Sequence, residues 1–413
     1  MRSDTPAEVA GKRVVERLRE LGHVAYFAGG CVRDRLLGRE PNDVDVATDA
    51  RPEQVQRAFK RTKAVGAQFG IVLVRLGGEE LEVATFRADG TYTDGRRPDS
   101  VRFTDPREDA LRRDFTINGL FYDPLADEVL DFVDGQTDLR RRVVRAIGDP
   151  EARFAEDKLR ILRAPRFAAA LGFDVAPETA AAIKLHVHDL SQVAPERLWG
   201  ELLKILSKPT RARGVALCAE LGVLGELFPE LTDLELPHRT LGSLPVDAPL
   251  VATLAGLLAQ LDVPAIEGAL RRLRASNKER EGALGIAAGV HALPGLLDAP
   301  LAEQKRAMAE GAWEHVPDVA HALLVARGED PAPAEAARAL RASYAQDPSP
   351  AGLFAPPLLM GADLQRAGLK PGRHFGPILD RVRDAQRRGE VQTPEEALAR
   401  GLAVAAELGA GGP

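Results

Sequence analysis

A chain of 413 residues with 45% hydrophobic content is too long for one ordinary core and too apolar for general disorder, so several packed units are expected. A formal net charge of -6 excludes nucleic-acid binding by bulk attraction and leaves any such contact to local basic surfaces. The two cysteines, Cys31 and Cys218, lack CxxC or Cys/His partners, which disfavours a disulfide framework or zinc site and suits free thiols in a reducing cytoplasm.

The N-terminus, MRSDTPAEVAGKR, is charged and has no apolar leader core, and the apolar run Leu250 to Leu258 is far short of a membrane span, so no membrane partner is expected. The first informative stretch is FAGGCVRDRLLGREPNDVDVATD, residues 27–49. A short strand is expected over Val24 to Ala28. Gly29 and Gly30 follow it, so their bare amides can approach a polyphosphate, and a helix starting near Cys31 aims its N-terminus at the same anion. Arg33 can then reach a phosphate oxygen. Asp43 and Asp45 stand two apart in a strand-like segment and share one face, while Val44 and Val46 turn to a core. Two carboxylates so close repel unless a cation lies between them, and magnesium, with its hard oxygen ligands and affinity for phosphate, fits. Alone, a glycine pair marks a turn and Asp-x-Asp a solvated turn; the dinucleotide fingerprint fails for want of a third glycine. Together, in this order, they indicate polymerase-type nucleotidyl transfer.

Further along, GIVLVRL (70–76) and ELEVATF (80–86) read as strands. The segment Arg87 to Phe103, rich in Gly, Asp, Thr and Pro, reads as a mobile loop. In RRDFTINGLFYD (112–123), Asp114 is either a further metal-side carboxylate or a helix N-cap. Near residue 140 the pattern turns helical. Within EDKLRILRAPRF a single helix makes Asp157 and Arg160 i, i+3 neighbours, either an ordinary surface ion pair or a pair addressing one base edge. As a pair, a carboxylate and a guanidinium match the amino group and ring nitrogen of cytosine or adenine and mismatch uracil and guanine. Pro165 removes a helical amide between Arg163 and Arg166 and can bend that helix. PERLWGELLKIL (195–206), VATLAGLLAQL (251–261) and PILDRVRDAQRRG (377–389) carry helical apolar spacing. Glu201 is expected to anchor structure through Arg197. EDPAPAEAARAL (329–340) reads as a hinge into a final unit, or simply as a helix start after a loop.

GGCVRDRLLG, NDVDVATDA, RRDFTINGLFYD, DGQTDLRRRVVRAIG (134–148) and EDKLRILRAPRFAAALGF (156–173), in this order, resemble the successive motifs of the bacterial CCA tRNA nucleotidyltransferase and poly(A) polymerase family. GADLQRAGLKPGRHFG (361–376) resembles a segment near the family's C-terminal end. The resemblance implies an α+β fold. A small polymerase-β-like nucleotidyltransferase head with a mixed or antiparallel sheet (1–140) would precede an elongated all-α neck with base recognition (141–210), a body (211–330) and a tRNA-binding tail (331–413). It implies addition of CCA to the tRNA 3′ end from CTP and ATP, with Mg2+ held by Asp43 and Asp45. Asp114 would join the catalytic set. Gly29, Gly30, Arg33, Arg113, Asp157, Arg160, Arg163 and Arg166 would bind nucleotide. AVGAQFGIVLV and FRADGTYTDGRRPDSVRF resemble CCA-adding and A-adding members, whose mobile loop corresponds to Arg87 to Phe103. An enzyme adding only the terminal A beside a CC-adding one shares all these residues; poly(A) polymerase and a non-catalytic tRNA-binding protein stand further off. In the tail, Lys370, Arg373, Arg381, Arg387 and Arg388 either grip tRNA phosphates or form a solvated face with Asp380, Asp384 and Glu390. The sequence sets no oligomeric state.

Overall fold

The computed structural model describes residues 4–41, 43–65, 70–90 and 100–409. These form two compact units, 1–229 and 230–413. The first opens with the helix Pro6–Glu20, started by a capping box in which the Thr5 hydroxyl accepts from the Glu8 amide and the Glu8 carboxylate from the Thr5 amide. Strands β1 (Ala25–Ala28), β2 (Asp45–Thr48), β3 (Thr62–Ala64), β4 (Ile71–Leu76), β5 (Glu79–Thr85), β6 (Arg87–Asp89), β7 (Val101–Phe103), β8 (Leu120–Asp123) and β9 (Glu128–Asp131) follow. Seven build one sheet in the order β3-β4-β5-β2-β1-β8-β9, parallel only between β2 and β5.

Period-two burial decides how the sheet sits. Val44, Val46, Val72, Val74, Leu81 and Val83 are all buried, and the helix Pro6–Glu20 packs over Val44, so closely that a Cβ on Gly11 would come within 2.9 Å of its side chain. The opposite face is left for polar groups at the start of β2. Further along, Phe86, Phe121, Ala28, Ala47 and Ala110 form a second core, with the Phe86 and Phe121 rings edge-on at 5.9 Å. The strands β6 and β7 pair separately. The loop expected over Arg87 to Phe103 is thus, at its two ends, a pair of strands held by backbone hydrogen bonds, and its middle, 91–99, lies outside the described residues.

After Asp131 helices dominate, as the change of pattern near 140 predicts. One expectation fails. The stretch EDKLRILRAPRF is not a single helix: Pro150–Glu156 ends before Asp157, which is extended (φ -135°, ψ 99°), and a new helix runs Arg160–Leu171. The Asp157 carboxylate accepts from the Leu159 amide (3.2 Å), a local bond that competes with helical continuation. Pro165 lies buried inside the second helix, which continues past it to Gly172 in the left-handed region.

In the unit 230–413 every regular element among the described residues is a helix. Its longest helix, Asn277–Leu297, begins with a Ser276/Glu279 capping box. Leu359, Leu364, Ile378, Val382 and Val404 make a core near its C-terminal end. The hinge expected at 329–340 is instead a helix start: Ala332–Gln346 packs against Val316–Arg327 and Asn277–Leu297. Three of the five tail cations have carboxylate partners of their own, Arg381 with Glu407, Arg387 with Asp384 and Arg388 with Glu390. Among the described residues no helix is long and apolar enough to cross a membrane.

Candidate active site

Asp45 opens β2 and Asp43 lies two residues earlier, exposed, with Val44 and Val46 buried between and after them. The carboxylates therefore share the face turned away from the helix Pro6–Glu20. The parallel register sets Glu82 of β5 opposite Asp45. Burial, then Glu82, then Asp43 push the Asp45 carboxyl up to about 7, against the pull of Arg113. Sequence reasoning missed Glu82, although an acid alternating with Leu81 and Val83 in a strand marks an outward position.

Gly29 joins β1 to the helix Gly30–Leu36 at φ +77°, and a Cβ there would lie 2.9 Å from Nη1 of Arg113. Both constraints demand glycine. The Gly29 amide, expected to face phosphate, donates instead to the Leu120 carbonyl (3.0 Å), which leaves the helix's own first amides, from Gly30 on, for an anion.

A cavity of about 520 Å³ gathers Gly29, Gly30, Arg33, Asp43, Asp45, Arg113, Asp114, Asp157, Arg160 and Arg163, and adds Arg87, Arg112, Asn118 and Phe167. Arg166 is not at its lining. Its Nε faces Glu201 (2.8 Å), and Lys204 takes the other Glu201 oxygen (2.7 Å). Arg197, expected to serve Glu201, instead holds Asp157 at 3.2 Å. Arg160 donates to the carbonyls of Arg153 and Arg112 and to Glu156, so no ion pair joins it to Asp157. The two side chains meet at the cavity by separate anchorage.

Buried carboxylates hold the other guanidiniums. Asp109, 1% exposed, accepts from both Arg112 and Arg113. Burial pushes the Asp109 carboxyl up, but Arg112 and Arg113 outweigh it and hold it below the usual carboxylate range. Asp114 accepts from the Phe115 amide and the Asn118 side chain and faces Arg163 at 2.6 Å. Against burial, Arg163, Asn118 and Arg160 keep it low. It is not the N-cap of the following turn, which is Phe115. Arg33 is bonded to Asp34 and to Asn118 (2.7 Å). Guanidiniums of Arg166, Arg33 and Arg163 lie 4.1, 5.5 and 5.6 Å from the Phe167 ring, which itself meets Phe115 edge-on.

For a metal, the donors on the carboxylate side are oxygens alone, and burial, followed by their repulsion, raises Asp45. That chemistry fits a hard divalent cation that keeps part of its water shell. No group of three or more His, Cys, Asp or Glu among the described residues forms an all-protein cage.

A mixed sheet presenting Asp-x-Asp at the start of a central strand, beside a glycine-turned helix and an arginine-lined cavity, defines the nucleotidyltransferase class of fold and site. Residues 25–145 match the family described as Poly A polymerase head domain, and 172–235 the one described as Probable RNA and SrmB- binding site of polymerase A. CCA-adding enzymes of Levilactobacillus brevis and Geobacillus stearothermophilus are 44% and 43% identical over 53% and 55% of this chain. These alignments span about half of each relative, 55% and 56%. The solved Bacillus stearothermophilus CCA-adding enzyme in complex with CTP superposes with a TM-score of 0.78 at 30% identity, covering 98% of this chain and 99% of that one. The Thermotoga maritima CCA-adding enzyme complexed with tRNA shares the fold (TM-score 0.68, 22% identity, 97% and 96% covered). The chain belongs to the bacterial CCA tRNA nucleotidyltransferase and poly(A) polymerase family.

Two outcomes follow from the arginine supports. Because the folded Asp109 carboxyl lies below its unfolded value, its stabilisation is complete above about pH 4 and is lost as pH falls through the folded value. Asp109→Asn should cost about 3 kcal/mol at neutral pH, a difference that shrinks below about pH 4 in thermal unfolding curves. Phe167→Leu, which removes the ring that Arg33, Arg163 and Arg166 approach, should lower stability by about 1 kcal/mol in thermal unfolding curves, while Phe167→Tyr, which keeps the ring face, should restore it; equal stability of all three proteins would remove the ring from the arginine scaffold.

Proposed function

We propose that this protein is a template-independent tRNA nucleotidyltransferase that adds CCA to the tRNA 3′ end from CTP and ATP and releases pyrophosphate. The observation that carries the reading is the meeting of Asp43, Asp45, Asp157 and Arg160 around one arginine-lined cavity. Within the chain we assign a catalytic head to 1–140, a neck to 141–210, a body to 211–330 and a tail to 331–413. Two buried free thiols, Cys31 and Cys218, suit a cytoplasmic location.

Asp43 and Asp45 would hold Mg2+, which when bound favours the ionised primer hydroxyl and offsets charge on the departing pyrophosphate. Arg113 and Arg163 line the cavity as triphosphate partners, with Arg33 contributing chiefly charge because Asp34 and Asn118 occupy much of its guanidinium. Asp114 orients Arg163, and Arg166 supports the array from behind Phe167. Asp157 accepts the exocyclic amino group of cytosine or adenine, and Arg160 donates to the adjacent ring nitrogen. Uracil and guanine present a carbonyl and a ring N–H there, leaving both protein groups unpaired.

Sequencing the products made from CTP, ATP and tRNAs ending at the discriminator base, at C or at CC should show completed CCA on all three; extension of only the CC-ended tRNA would instead assign terminal-A addition. Asp43→Ala or Asp45→Ala should remove about 3–4 kcal/mol of transition-state stabilisation while tRNA binding persists, read by single-turnover rates beside filter binding. Asp157→Ala or Arg160→Ala should cost about 1–3 kcal/mol in use of CTP and ATP and narrow their advantage over UTP and GTP. Unchanged selectivity among the four nucleotides would take base reading away from this pair.

A further inference from the structure

Among the described residues the head sheet ends at β3, which pairs there only with β4. Leading into that edge is RAFKRTK, in which Arg57, Lys60, Arg61 and Lys63 are all exposed and no acid intervenes, in a chain whose net charge is -6. Arg61 lies across from Arg75, whose amide it accepts through its carbonyl (2.9 Å). Glu80 of β5 pairs with Arg75 at 2.7 Å, so the one carboxylate at this edge is taken by Arg75. Among the described residues Arg61 and Lys63 have no acidic partner. A second cavity, of about 480 Å³, opens between Arg61, Lys63, Leu73, Arg75 and Glu80. Like charges opposed across strands destabilise the pair unless an anion lies between them.

The register connects this edge to the carboxylates. Asp45 pairs with Glu82, Glu82 with Leu73, and Leu73 with Lys63, so all four side chains stand in one row on one face of the sheet. Three strand spacings of about 4.8 Å put Lys63 about 14 Å from Asp45. At about 3.4 Å per stacked nucleotide, that is about four nucleotides.

We infer that the β3 edge, through Arg61 and Lys63, grips backbone phosphates of the RNA strand whose 3′ end enters the carboxylate site, about four nucleotides back from the reacting end. This rests on the proposed tRNA nucleotidyltransferase reading. Strand cations two residues apart, about 6.6 Å, offer repeated point charges. Leu73 is the only sizeable apolar side chain in the cavity, so alternate pockets for the side chains of an added peptide strand are lacking. The edge is thus a charged track on an acidic protein, suited to a partner read by its phosphates.

The test uses the full chain with Arg61→Glu/Lys63→Glu and Arg61→Gln/Lys63→Gln, and a tRNA lacking CCA. Filter binding across a salt series should show at least about tenfold weaker tRNA binding for the reversal variant and a salt slope lower by about two for both. The KM for tRNA should rise in step, while the KM for CTP and kcat at saturating tRNA stay within about twofold, a split that general misfolding does not produce. Unchanged tRNA affinity and slope would overturn the inference, as would a loss seen only in CTP use. If the wild-type protein binds tRNA but transfers no nucleotide, the proposed function fails, and the binding comparison still decides the edge.

Discussion

Guanidiniums crowded round one cavity repel one another, and the packing of the catalytic half depends on the acids that hold them there. Asp34 takes Arg33, Asp109 takes Arg112 and Arg113, Asp114 takes Arg163, and Glu201 takes Arg166. Three of these carboxylates, Asp109, Asp114 and Glu201, are nearly or wholly buried. Each is a charge whose removal from water is offset chiefly by the arginine it holds, helped by the Arg87 amide at Asp109, by the Phe115 amide and Asn118 at Asp114, and by Lys204 at Glu201. The positive wall is therefore built from pairs that fix the direction of each guanidinium. The opposite, carboxylate side has the reverse imbalance: after burial, Glu82 and Asp43 push Asp45 up, and Arg113 pulls against them.

Much of this was legible in the sequence. The glycine turn, the Asp-x-Asp alternation and the strands at 70–76 and 80–86 were readable because period-two burial and a positive-φ glycine are local demands. PERLWGELLKIL matches the helix Pro195–Leu206 residue for residue, since the proline at its first turn and its apolar spacing agree. What escaped was set by partners far along the chain. Arg197 could not be matched to Asp157, nor Arg166 to Glu201, because helix spacing ranks neighbours within one helix and says nothing of those between helices. The break at Asp157 escaped because a side chain bonding its own backbone two residues on competes with helix formation by about the strength of one hydrogen bond. Glu82 escaped because its meaning comes from strand order: only the parallel neighbour β2 makes it face Asp45.

That interruption has a mechanical consequence. A helix is stiff along its length, and two side chains mounted on one of its faces would stand at a single fixed spacing. Asp157 stands instead between two helices, tethered through its carboxylate to Arg197, while Arg160 is clamped by two carbonyls and Glu156. The spacing of the two side chains at the cavity is therefore set by contacts from separate helices, Arg197 for one and Glu156 for the other, and not by the pitch of a single helix.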